Sequence, residues 1–149
     1  VCALLRTGTG RHIPEFSITV FGATGKREDH TLGNISLLAD FAQYLSACGT
    51  PGRLSMMTDY GLFVPVLDSC AFSLPAGQPV SIFAFDQTLR IDSTGLEYPT
   101  GDVRFDMWWK ATLNRASGGR VELRLSHPAK ALMYLPGWHG RRLETETLL

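Results

Sequence analysis

The chain has 149 residues, 44% of them hydrophobic, which suffices for one core and argues against two. Lys+Arg and Asp+Glu stand at 14 each, so nucleic-acid recognition by bulk charge is excluded and only local patches remain. Three cysteines, Cys2, Cys48 and Cys70, without a CxxC spacing, argue against a disulfide scaffold and for a reducing setting, and no apolar run reaches the roughly 20 residues of a membrane-spanning helix.

The start, Val1 to Leu5, has no basic leader and reads as a mature or trimmed end. Residues 1–13 read as an arm, with RTGTGRH rich in glycine and threonine. Phe16, Ile18 and Val20 alternate with Ser17 and Thr19, which predicts a strand. Gly22 and Gly25 end it, and KREDHT is a polar loop. Leu38, Phe41, Leu45 and Cys48 fall at helical spacing, so a helix is predicted over residues 35–48, capped by Asn34 or Ser36 and stopped by Gly49 and Pro51.

All later elements read as β. RLSMMTD, LFVPVLD, CAFSL and PVSIFAFD are short apolar runs separated by turn residues. In residues 103–113, Val103, Phe105, Met107, Trp109, Ala111 and Leu113 share one face, which predicts a long strand with Trp108 on its polar face. Val121, Leu123 and Leu125 then alternate with charged residues. Seven or eight strands, one helix and no βα alternation predict an all-β, two-sheet sandwich or jelly roll.

VFGATGK, residues 20–26, has the glycines of a phosphate loop. Such a loop needs a helix start directly behind it, and the expected helix comes about ten residues too late, so the motif reads as a strand-ending turn. His12, His30, His127 and His139 have no metal-ligand spacing, Cys70 lies in an apolar strand pattern, and no carboxylate pair stands out. The expectation is therefore a non-enzyme with no catalytic residue, cofactor or metal. Leu4, Leu5, Trp108, Trp138, His139, Arg141 and Arg142 are contact-prone groups away from the core pattern and form the candidate subunit interface.

The order EFSITV, LLADFAQYLSACG, RLSMMTD, CAFSLPAGQPVSIFAFD, DVRFDMWWKATL and RVELRLSHPAKALMYLPG resembles the coat-protein jelly rolls of picorna-like viruses, most nearly the small coat protein of the comovirus group. The resemblance implies an eight-stranded antiparallel jelly roll over residues 14–138, with one short helix before the second strand. It implies a capsid subunit that assembles with copies of itself and a companion coat protein around single-stranded RNA, in virions formed in the host cytoplasm. The alternative is a non-viral β-sandwich that binds a protein or carbohydrate. Residues 139–149 are expected to form a tail whose removal leaves the domain folded.

Overall fold

The alternating run Phe16–Val20 forms β1, and it leads through a glycine turn into a twenty-residue helix, α1 (Glu28–Ala47). The protein is described by a computed structural model over residues 16–49 and 52–148. Leu38, Ala39, Ala42 and Leu45 form the buried face of α1, and Glu28 and Asp29 place negative charge in its first turn, where the helix dipole favours it. Gly49, at φ 62°, supplies the left-handed residue behind the helix end.

After α1 come β2 (Gly52–Thr58), β3 (Gly61–Val66), β4 (Cys70–Ser73), β5 (Pro79–Ala84), β6 (Ile91–Thr94), β7 (Ala111–Arg115), β8 (Arg120–Leu125), β9 (Ala131–Pro136) and β10 (Thr145–Thr147). They form a six-stranded sheet, β1-β2-β3-β9-β5-β7, and a four-stranded sheet, β10-β4-β8-β6. The two sheets face each other across a core containing Phe72, Ile82, Phe105, Leu123, Met133 and Leu135. The other face of the six-stranded sheet carries α1, where Leu38 and Ala42 pack with Leu54, Met56, Phe63 and Leu132. Strand alternation makes this division: Leu62 and Met133 face the second sheet, while Phe63 and Leu132 face the helix.

Several expectations are corrected. β1 and β2 are parallel, from Phe16 opposite Gly52 to Val20 opposite Met56, with α1 as the crossover, so the fold is mixed and no antiparallel jelly roll. Ten strands, rather than eight, occur among the described residues. The helix starts at Glu28, inside the segment read as a loop, because charged KREDHT hides the start of its periodicity; Asn34 and Ser36 lie within it and do not cap it. Of the long strand expected over residues 103–113, only the part from Ala111 onward is strand. Residues 101–110 turn repeatedly, held by Val103 N–H to Thr100 O (2.9 Å), Lys110 N–H to Met107 O (3.3 Å) and the Asp106–Lys110 ion pair. Phe105 is buried, but Met107, Trp109 and Leu113 are exposed, so the six residues do not share a core face.

The expected tail is also built into the sandwich. β10 pairs antiparallel with β4, Thr145 opposite Phe72 and Thr147 opposite Cys70, and Leu143 packs on the inter-sheet core. The expected arm, residues 1–13, lies outside the described residues.

Candidate functional site

β1 ends at Val20, and the chain turns through residues 21–27 directly into α1. Gly22 and Gly25 have φ of 67° and 97°, which residues with a Cβ rarely adopt. Asn34, one and a half turns into the helix, reaches back and donates from Nδ2 to the Ala23 carbonyl at 2.7 Å, pinning the loop to the helix. Arg27 donates from Nε and Nη2 to the two carboxylate oxygens of Asp29, at 3.1 and 2.6 Å. That guanidinium holds the Asp29 carboxyl below its usual range. Lys26 is exposed beside them.

This is the strand, glycine turn and helix start that the sequence discounted, because the helix was expected later. The first-turn N–H groups of a helix lack intrahelical acceptors and the dipole favours negative charge there; Glu28 and Asp29 supply part of it, Asp29 Oδ1 accepting from the His30 N–H at 2.9 Å, and the glycine loop ahead of them with Lys26 is what remains for a phosphate. Its location, outside the carboxyl end of a parallel strand, is where α/β units place ligands.

The opposite edge of the same sheet carries the second feature. Val80 pairs with Asn114 and Ile82 with Ala111, so Thr112 and Leu113 together face Ser81 in a bulge. Leu113, at φ 60°, is the non-glycine residue with positive φ among those described, and its side chain is 88% exposed. A left-handed leucine costs about 1–2 kcal/mol, and such strain gathers at functional sites. The Leu113 N–H donates to Ser81 Oγ at 3.2 Å.

Asn114, next in the chain, is buried, and its amide mimics a strand neighbour for the segment at Tyr98. Nδ2 donates to Tyr98 O at 2.6 Å, while Oδ1 accepts from Tyr98 N–H at 3.1 Å and Arg115 N–H at 2.8 Å. The Glu97 N–H also donates to Arg115 O at 2.8 Å, and Leu96 bridges to Ala116. The Tyr98 ring, held at its base, stands 62% exposed, and Trp109 in the preceding turn is 52% exposed. Leu113, Tyr98 and Trp109 are thus three exposed large apolar side chains near one sheet edge.

The candidate interface residues scatter. Trp108 stacks on Phe85, with ring centroids 6.3 Å apart, and tilts against Phe83 at 5.3 Å, while remaining 43% exposed. Trp138 is a core residue, 5% exposed, whose Nε1 donates to Arg141 O at 3.1 Å. His139, Arg141 and Arg142 are exposed on the segment leading to β10, away from Trp108. Leu4 and Leu5 lie outside the described residues. Burial of the Cys70 thiol pushes its pKa up to about 12, so it is protonated and no ready nucleophile.

Residues 61–134, just under half of the chain, match a family model described as thiamin pyrophosphokinase, substrate-binding domain. A search of curated protein sequences gives no match. Among solved structures, thiamin pyrophosphokinase from Candida albicans superposes with a TM-score of 0.71 at 15% identity, covering 90% of this chain and 48% of that one. The Bacillus subtilis enzyme gives 0.64 at 18% identity (80% and 55%), and the Geobacillus thermodenitrificans enzyme 0.62 at 21% (93% and 59%). The fold is thus shared, and the chain spans about half the length of these structures. These findings overturn the coat-protein reading, with its companion coat subunits, enclosed RNA and virion location: the similar proteins are cellular kinases. They also remove the ground for expecting a non-enzyme, and a generic protein- or carbohydrate-binding sandwich is not the best alternative.

Proposed function

We propose that this chain supplies the thiamin-binding part of an enzyme that transfers a pyrophosphoryl group to thiamin. The observation that carries the proposal is that the matched segment, residues 61–134, contains the strained edge with its Asn114 clamp. Thiamin has two flat heteroaromatic rings, one of them cationic, and a hydroxyethyl arm. The exposed rings of Tyr98 and Trp109 suit flat partners, and an aromatic face attracts a cation by about 0.5–2 kcal/mol. Leu113 adds apolar contact, and its strained backbone fixes where that contact is made.

The glycine loop before α1 and Lys26 suit the phosphates of a nucleoside triphosphate donor: the thiamin hydroxyl oxygen bonds to the β-phosphorus, the bond from that phosphorus to the oxygen bridging the α-phosphate breaks, the nucleoside monophosphate leaves, and the hydroxyl proton passes to water. β1 and β7 lie at opposite edges of the six-stranded sheet, five strand spacings or about 24 Å apart. One ligand of thiamin's size cannot touch both on one chain, so a role for the loop in the transfer requires a loop from a second copy.

Calorimetric titration of the chain with thiamin tests the proposal. Saturable binding is expected, weakened tenfold or more by Tyr98→Ala and by Asn114→Leu, which leaves Tyr98 backbone groups unpaired. Absence of thiamin binding, or binding that both variants leave unchanged, contradicts it.

A further inference from the structure

We propose a second ligand site, between the two sheets at the β1 end, that takes a small organic anion with an apolar body. The six-stranded sheet extends past the four-stranded one, whose edge strand there is β10. The overhang leaves a cavity of about 860 Å³, within the usual size of a small-molecule site. Strand alternation gives it two kinds of wall. Met57 and Val64, half-buried on the inter-sheet face of β2 and β3, form an apolar floor. Ser17 and Thr19 of β1 bring hydroxyls to the rim, where Thr19 Oγ1 lies 3.1 Å from Ser55 Oγ.

The charge at the rim is positive. Arg53, Arg141 and Arg142 line the cavity, against Asp68 as the one carboxylate among the described lining residues. Arg53 donates from Nη1 to Leu143 O at 3.4 Å, which aims it along the cavity wall. Arg141 and Arg142 are exposed and enter no ion pair among the described residues. Guanidinium groups bind carboxylate and phosphate in paired hydrogen bonds, so the head group belongs at these arginines and the apolar body over Met57 and Val64. The cavity reaches Ala42, Leu45 and Ser46 of α1 and lies at the β1 edge, away from β7, so it is separate from the edge proposed for thiamin.

Calorimetry on the full chain with octanoate, octyl phosphate and uncharged octanol tests this. Both anions are expected to saturate and octanol to bind at least tenfold more weakly; the tighter anion identifies the preferred head group. The double variant Arg141→Glu, Arg142→Glu should weaken both anions tenfold or more. Ser17→Trp, at an exposed rim position, should block the cavity and give a similar loss without changing the thermal melt, and it carries the test alone if the double variant does not fold. Octanol binding as tight as octanoate, no saturable anion binding, or unchanged anion affinity in folded variants overturns the site.

Discussion

Leu113 holds a left-handed backbone and an exposed side chain at once, a combination that stability alone does not explain. Leu113→Gly relieves the backbone strain, and unfolding in urea should show stability raised by about 0.5–1 kcal/mol, less than the full strain because glycine gains freedom in the unfolded chain. Thiamin affinity should fall in the same variant. Gly95, at φ 77°, presents the reverse case: a Cβ there would overlap the Arg120 carbonyl oxygen, so Gly95→Ala should destabilise the protein by more than 1 kcal/mol. Asp86 provides a pH probe. Hydrogen bonds from the Thr88 hydroxyl, then His127, lower its pKa to about 2 from 3.8. The unfolded chain therefore takes up the proton first, and the contribution of Asp86, full above about pH 4, drains away towards pH 2. Asp86→Asn should flatten the fall in stability over that window. At this scale the sequence was only partly legible. Val121 and Leu123 are buried by the alternation that marks them. Nothing in the alternation through Leu113 marks a bulge, because a single extra residue leaves the composition of a strand unchanged.

α1 shows why a boundary can mislead about chemistry. Of the stripe read from spacing, Leu38 and Leu45 are buried and Phe41 and Cys48 are half-buried, while Ala39 and Ala42, which complete the buried face, lie outside that stripe; the first turns are polar and carry no periodic signal. Starting the helix late separates the glycine loop from the helix start that in fact follows it directly at Glu28, and the loop then reads as a plain strand-ending turn. The charged pair Glu28 and Asp29 in the first turn was the available signal. Leu38 ties α1 to β2 and β3, and Leu38→Ala should cost about 2–4 kcal/mol in denaturant unfolding through the cavity it leaves. Asn34→Ala removes the bond to Ala23 while leaving the buried face of α1 intact, so it should loosen the loop with a small change in melting temperature. The parallel β1–β2 pair was invisible for a related reason: one βαβ unit among strands does not alter the overall pattern, and parallel pairing depends on where the crossover helix begins.

For the whole molecule, two stacked sheets were legible from the count of short strands and turns, but their topology was not. Order within a sheet depends on long-range pairing, such as β9 between β3 and β5, which alternation cannot report. The final segment illustrates the consequence. Its mixed charge hides a strand of three residues and a buried Trp138, so removal of residues 139–149 should lower the melting temperature measurably, contrary to the expectation of a dispensable tail. The resemblance to viral coats followed from the order of apolar runs, a feature that many sandwiches share. The fold places the strained edge at β7 and the glycine loop behind β1 at opposite borders of one sheet, so thiamin binding is expected at the β7 edge alone. The most direct test is a two-dimensional amide NMR spectrum of the chain recorded while thiamin is added. Concentration-dependent shifts are expected, concentrated at residues 95–99 and 109–115. Shifts confined to other surfaces, or none at saturating thiamin, would contradict it.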